Sequence, residues 1–203
     1  NDVPVITAED LIGAVTELVT PSGSLSDNGV ITFTDVDLTD VHLVSANGTP
    51  VGSTLGSLTA VKDSDTTGSG TGGQLTWTYT VDAADVEYLA QNQTKVESFT
   101  ITLDDQNGGL ITRQIDVTIT GTNDVPVITA VDVAGTITEG SVLSDNGSIT
   151  FSDVDLTDRP VATEATLSVS ALAQDGVTSL ALSAVQQAAI EAAFSIVNVA
   201  SNT

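Results

Sequence analysis

The sequence contains neither cysteine nor methionine, and without thiols the fold has no disulfides and no thiolate metal sites, leaving packing or a hard cation to staple it. Positive charge is nearly as scarce: Lys and Arg number 4 against 27 acidic residues, a formal net charge of −23. Such a chain is unsuited to nucleic acid or to an anionic membrane surface. No apolar run approaches the roughly 20 residues that cross a bilayer, so membrane insertion is not expected, and no basic stretch followed by an apolar core opens the chain. The first residues instead lie in the middle of a repeat, as expected of a piece of a longer protein. Aromatic residues make up only 3 % of the chain, while Val, Ile, Leu, Thr and Ser fill it, which favours β-strands over helical bundles. An all-β fold is predicted.

What is present is organised around a joint. Gly121-Thr122-Asn123-Asp124-Val125-Pro126-Val127-Ile128 restates the opening Asn1-Asp2-Val3-Pro4-Val5-Ile6. A polar Asn-Asp pair before a Pro that fixes φ reads as a stiff, oxygen-rich connector leading into a strand. Asn1 maps to Asn123 and Glu17 to Glu139 at an offset of 122, whereas Asp27 maps to Asp145 and Asp35 to Asp153 at 118. The first copy therefore carries a longer loop between Glu17 and Asp27. Ser144-Asp145-Asn146-Gly147 and Phe151-Ser152-Asp153-Val154-Asp155-Leu156-Thr157-Asp158 repeat the first copy almost residue for residue. Two domains follow, 1–122 and 123–203.

Within the first copy, Asp10 to Val19 reads as one strand or a split pair. Ser26-Asp27-Asn28-Gly29 reads as a turn into Val30-Ile31-Thr32-Phe33-Thr34, whose alternation continues through Asp35 and Asp37 and puts both carboxylates on one side, just beyond the core. A short strand is expected from His42 to Val44. Residues 62–73 contain no apolar side chain and are expected to form a mobile surface loop. In Leu75-Thr76-Trp77-Thr78-Tyr79-Thr80-Val81 every odd residue is apolar and every even one is Thr, the pattern of a half-buried antiparallel strand with Trp77 at the core centre. Asp82 is placed to cap a short helical turn through Ala90. Phe99, Ile101 and Leu103, then Asp104-Asp105-Gln106-Asn107-Gly108-Gly109, then Ile115, Val117 and Ile119 read as a closing hairpin. Together these make a β-sandwich of about 120 residues.

The second copy diverges. Leu167 and Val169 are expected to continue as strand, and Ser183 with Gln186 forms a capping box opening an Ala-rich segment. Leu182, Val185, Ala189, Ile190 and Ala193 share a stripe, so an amphipathic helix covering the sandwich is predicted. No counterpart of the Trp77, Phe99 or Ile115 strands follows before Thr203, so the second domain is expected to be incomplete and the less stable half.

The order of these signals resembles the cadherin-like VCBS repeats found in tandem in very large RTX-type bacterial surface adhesins exported by type I secretion. They are the Asn-Asp-x-Pro connectors, Thr16-Glu17, Asp35-Val36-Asp37 after a Phe-containing strand, Trp77-Thr78-Tyr79-Thr80, and the Asp104 to Gly109 hairpin. The resemblance implies tandem Ig-like or cadherin-like β-sandwiches acting as a non-enzymatic extracellular extender on the bacterial cell surface, in adhesion or biofilm formation. It implies Ca2+ at the domain junctions and, as partners, neighbouring repeats of the same chain, with any cell-surface or matrix ligand held by other domains. Carried over by position, one junction would use Glu17, with Asp82 or Asp85, then Asn123 and Asp124, then Asp153 and Asp155. A half-site at the first domain's upper end would use Asn1, Asp2, Asp35, Asp37 and Asp104 or Asp105. The connector is shorter than that of true cadherins.

Charge chemistry points the same way. Two bare carboxylates about 5 Å apart repel by roughly 3 kcal/mol at an effective dielectric near 20, so a cluster of four or five needs a cation or must splay. Calcium accepts about 6 to 8 oxygens in irregular geometry, whereas magnesium demands a tight octahedron and zinc prefers Cys and His. A solvated acidic surface is the plainer reading, but it would scatter acids rather than repeat them at fixed offsets. Asp35 to Asp40 is no EF-hand loop, having Asp at its sixth position where that loop needs Gly. His42 is expected at a solvent edge rather than in a Ser-His-Asp triad, and carboxylates repeated in both copies fit ligation better than a glycosidase cleft. A carbohydrate- or protein-binding module remains as the alternative, favoured if aromatics between residues 42 and 79 prove exposed, and an enzyme accessory domain as a second.

Overall fold

A computed structural model describes residues 1–198, and the described chain is mostly β. It divides into two compact units, one comprising 1–127 with 153–157 and the other the remainder. Asp153 to Thr157, which belong by sequence to the second copy, are thus part of the first unit.

The first unit contains β1 (Val5–Glu9), β2 (Ile12–Thr16), β3 (Ser24–Thr34), β4 (Leu43–Val44), β5 (Thr49–Pro50), β6 (Ser57–Ser64), β7 (Gly73–Asp82), a 3-10 turn (Ala83–Asp85), β8 (Thr94–Asp104) and β9 (Leu110–Thr120). One sheet runs β1-β3-β7-β6, and the other runs β2-β9-β8-β4 with β5 also on β8. Their apolar faces meet in a single core that includes Phe33, Leu75, Trp77 and Tyr79 from one sheet and Phe99, Ile101, Ile115 and Val117 from the other. Trp77 and Tyr79 are both 0 % exposed, as the apolar/Thr alternation of β7 requires.

The span Asp10 to Val19, read as one strand or a split pair, holds the single strand β2, and the chain leaves one sheet for the other at Asp10 and Leu11, between β1 and β2. Asp10 N–H donates to the Val30 carbonyl of the first sheet (3.0 Å), and the Leu11 carbonyl accepts from Asp116 N–H of the second (3.0 Å). The Asp10 carbonyl, freed at this crossing, accepts the Trp77 indole N–H at 2.7 Å. A buried indole thereby gains the partner it needs. Beyond the switch, β2 lies parallel to β9, with Thr16 opposite Thr120. Both strands therefore exit at the same end, which delivers Glu17 beside the connector.

Three local expectations are corrected. Ser26 to Gly29 is not a turn but part of β3, paired with β7 from Ser24↔Asp82 to Phe33↔Gly73. Gly29 serves close packing: a Cβ there would lie 2.5 Å from the Trp77 ring. Residues 62–73 are not a free loop, since β6 runs to Ser64 and Thr66 is fully buried. Gly68 N–H donates to the Leu38 carbonyl (2.7 Å) and Thr67 Oγ1 to that of Asp40 (2.6 Å), strapping the segment over Asp35 to Asp40. Polar anchoring of this kind is invisible to an apolar count. His42, expected at a solvent edge, is 0 % exposed.

The second unit holds β10 (Val127–Val131) with β11 (Ile149–Ser152), β12 (Ala171–Leu172) with β13 (Ser179–Leu180), and α1 (Ala184–Glu191). The Ser183–Gln186 capping box is formed in both directions. The helix buries none of its residues, with Val185 80 % and Ile190 48 % exposed, so it does not cover a sandwich as expected. Leu167, expected in a strand, is 99 % exposed, and neither it nor the half-buried Val169 lies in a strand. Ser144 to Gly147, although nearly identical to residues of β3, forms no strand, because no counterpart of β7 lies beside it among the described residues.

Gly29→Ala should destabilise the first unit by about 1–3 kcal/mol through overpacking against Trp77. Urea unfolding followed by Trp77 fluorescence measures this, and an unchanged midpoint would mean that the indole is free to shift.

Candidate metal centre

Two groups of carboxylates in the first unit can hold a metal ion. At the end where β2 and β9 exit, Glu17, Glu87 and Asp124 each bring an oxygen to within 4.8 Å of the others. Glu17 is 3 % exposed, and its Oε2 accepts the Thr122 N–H at 2.6 Å. The connector is drawn in from both sides. Gly121 N–H donates to the Gln93 carbonyl (2.8 Å) and its own carbonyl accepts from Asn92 N–H (3.1 Å). A Cβ at Gly121 would stand 2.2 Å from the Leu89 carbonyl oxygen, so the chain passes there only as glycine. Asp124 N–H then donates to Asp155 Oδ2 at 2.9 Å, and Asp155 N–H to Asp153 Oδ1 at 3.2 Å.

The electrostatics of this group are unfavourable as it stands. Burial pushes the Glu17 carboxyl up, opposed by the Thr122 N–H and reinforced by the charges of Asp124 and Asp155. Glu87 is raised by burial, then by Glu17, Asp124 and Asp155. Asp124 is raised by burial and by Asp153. Glu17 Oε1, Glu87 Oε1, Asp124 Oδ2 and Asp153 Oδ2 are buried without a hydrogen-bond partner. Orphaned buried carboxylate oxygens are costly, and a cation could ligate one oxygen from each of Glu17, Glu87 and Asp124. The donors are all oxygen, the set of a hard cation.

The second group, Asp35, Asp40 and Asp105, lies where β3 ends and β8 turns into β9. The three are 2 %, 6 % and 0 % exposed. Asp105 Oδ1 accepts the N–H groups of Asn107 and Gly109, both at 2.8 Å, and its Oδ2 accepts from Asn1 Nδ2 at 3.1 Å. Burial alone would raise this carboxyl, but Asn107, Asn1, Gly109 and nearby His42 together hold it below the usual range. Asp40 Oδ2 has no partner.

Glu17, Asp124, Asp35 and Asp105 thus enter the two groups, with Asp153 and Asp155 against the first. Asp37 stands beside the second as a brace, its Oδ2 accepting Asp2 N–H at 2.6 Å. Four expected ligands lie outside both groups. Asp82 caps the 3-10 turn through Ala84 N–H (3.0 Å), Asp85 is exposed, and Asp104 Oδ1 accepts Gln106 N–H (2.7 Å) inside the hairpin turn. Asn123 Nδ2 donates to the Asp124 carbonyl at 2.6 Å. Sequence reasoning missed Glu87 and Asp40. Glu87 sits in the turn that was expected to contribute, and a 3-10 turn of three residues brings it round in place of Asp82 and Asp85. Asp40 ends the Asp-rich run already singled out, and Asp40 N–H donates to the Asp37 carbonyl (3.1 Å), folding the run back on itself.

In chelator, the sign of the pH dependence follows from the raised group. Glu17, Glu87 and Asp124 have folded pKa values above their ordinary 4.5, 4.5 and 3.8, so their contribution to stability is present at low pH and lost as pH rises through the folded values. Asp65, at about 2 against an ordinary 3.8, works oppositely, but its contribution falls only below that range. Chelator-treated protein should therefore melt higher at about pH 5 than at pH 7, and Glu17→Gln should flatten the difference. Thermal melts across that range decide it; a melting temperature that falls steadily on acidification would show the group to be solvated.

No protein-family model matches the sequence, and no curated protein matches it. Among solved structures, the N-terminal domain of PorA is similar at 12 % identity and a TM-score of 0.36, covering 58 % of this chain and 96 % of that one, a likeness that assigns neither fold family nor function.

Proposed function

We propose that the chain is a calcium-rigidified extender segment of a secreted bacterial surface adhesin, built from cadherin-like, Ig-like β-sandwich repeats of VCBS type. The observation that carries this reading is the buried Glu17–Glu87–Asp124 group with its unpartnered oxygens. It gathers Glu17 and Glu87 of the first copy and Asp124 of the connector, and Asp155, from the second copy by sequence, lies against it by accepting the Asp124 N–H. An ion held there would draw on the first copy and the connector, and its loss would leave like charges facing one another across the connector. Calcium fits better than magnesium because the donors are carboxylates from irregular segments rather than a compact octahedron. Zinc is disfavoured because the one His is engaged elsewhere.

On this reading the protein is not an enzyme. It is extracellular, its immediate partners are neighbouring repeats, and the adhesive contact is made by a distal domain. No helix among the described residues is long and apolar enough to cross a membrane. The carbohydrate- or protein-binding alternative gains no support, because Trp77 and Tyr79, the aromatics between residues 42 and 79, are both fully buried and offer no stacking face.

Calorimetric titration should show calcium binding in the range of about 10⁻⁴ to 10⁻³ M usual for extracellular modules. Saturation at about 100 times the dissociation constant should add about 2.7 kcal/mol to stability. Asp153→Ala with Asp155→Ala should abolish binding at the connector. Small-angle scattering of the unsubstituted chain should give a longer maximum dimension in calcium than in chelator. Absence of calcium binding, or binding with no change in dimension, would overturn the extender reading.

A further inference from the structure

The two carboxylate groups are built on corresponding segments, and the backbone frame is the same in both. Asp37 N–H donates to Asp35 Oδ1 (2.9 Å) and Asp2 N–H to Asp37 Oδ2 (2.6 Å). In the second copy Asp155 N–H donates to Asp153 Oδ1 (3.2 Å) and Asp124 N–H to Asp155 Oδ2 (2.9 Å). The remaining oxygen distinguishes them. Asp35 Oδ2 lies 3.1 Å from His42 Nε2, whereas Asp153 Oδ2 has no hydrogen-bond partner. At the same offset of 118 the second copy has Pro160 in place of His42, and proline has no side-chain donor.

His42 is itself immobilised. It is 0 % exposed, its Nδ1 lies 2.7 Å from Asp65 Oδ1, and its backbone N–H donates to Asp65 Oδ2 at 3.1 Å. The Lys62 ammonium donates to that same carboxylate. The imidazole also packs tilted against Phe33, with centroids 4.9 Å apart. Asp65 belongs to the strapped 62–73 segment, so that segment fixes His42, and His42 fixes Asp35. Next to Asp35, the 6 % exposed Asp40 presents Oδ2 with no partner.

We propose that His42 is a positioning residue that orients Asp35 before any ion arrives, making Asp35–Asp40–Asp105 the tighter cation site and Glu17–Glu87–Asp124 the weaker one. The inference rests on the calcium reading above. Ligands already held in place lose less freedom on binding, and hydrogen bonds to a ligating carboxylate typically contribute about 10–100-fold to metal affinity. Asp153, which lies against the connector group, has no such brace on its Oδ2, so an ion that draws on it must order that oxygen itself.

The test is calcium calorimetry on the full 203-residue chain, where two classes of site are expected. Asp40→Asn should remove the tighter class and Glu17→Gln the weaker. His42→Gln should weaken the tighter class by about 10–100-fold and leave the weaker unchanged. Asp65→Asn, which keeps the imidazole and alters a residue with an 18 % exposed side chain, should do the same to a smaller degree and guards against failure of the first variant to fold. General loosening would move both classes, so selective loss is the signature of positioning. Wild-type affinity of the tighter class in both variants would overturn the role of His42, as would loss of the weaker class in Asp40→Asn. If Glu17→Gln changes nothing while Asp40→Asn and His42→Gln act as stated, the connector reading falls and the assignment of His42 stands. If no calcium binds to either group, both fall.

Discussion

Carboxylates taken out of water within 4.8 Å of one another must be given positive charge or hydrogen-bond donors, and the first unit meets that demand in two different ways. Asp105 is satisfied from within the protein by two backbone N–H groups and the Asn1 amide. Asp65 takes Lys62 and His42, which overcome the effect of burial and hold it at about 2. Glu17, Glu87 and Asp124 receive no comparable compensation, and all three are pushed the other way. A chain with 27 acids and 4 basic residues has few cations of its own to spend, so the oxygens left over mark where an external one could be held.

Placement of those acids depends on the strand order, not on the acids themselves. Antiparallel pairing of β1 with β3, Val5 opposite Thr34, sets Asn1 and Asp2 beside Asp35 and Asp37. Parallel pairing of β2 with β9 sets Glu17 beside Thr122 at the opposite end of the same chain segment. One strand split at Asp10 therefore serves both ends. The Trp77 indole, bonded to the Asp10 carbonyl, fixes that split from the core side. Core packing and site geometry are coupled through a single carbonyl group.

Period-2 alternation made β7, β8 and β9 legible in sequence, whereas Glu17, Asp124, Asp153 and Asp155 were singled out by position through the family resemblance. The misses share a cause. Gly29 looked like a turn residue because Asn-Gly commonly is one, whereas here it is flat strand that makes room for an indole. Glu87 and Asp40 are set by how tightly a short turn winds, which residue type alone does not specify. His42 and the 62–73 segment looked solvent-facing because hydrophobicity counts burial by apolar atoms, and this region is buried through hydrogen bonds among Asp35, His42, Asp65 and Lys62. The stripe on α1 was correctly read as helical, but amphipathicity states only that a helix has an apolar face, not that anything lies against it.

The recurrence of one small frame in both copies separates local from tertiary causes. Asp2 with Asp37 and Asp124 with Asp155 form the same backbone-to-carboxylate bond, although β3 is an eleven-residue strand paired on both sides and β11 has only four residues. The frame therefore does not require the surrounding sheet. Connector and Asp-x-Asp segment specify it between themselves, through an N–H that precedes a proline-fixed strand and a carboxylate two residues beyond another. What the tertiary structure adds differs at the two places: His42 and Asp105 at one, Glu17 and Glu87 at the other. The repeat thus encodes a common carboxylate frame, and the elements brought against it decide how far its oxygens are held in place by the protein itself.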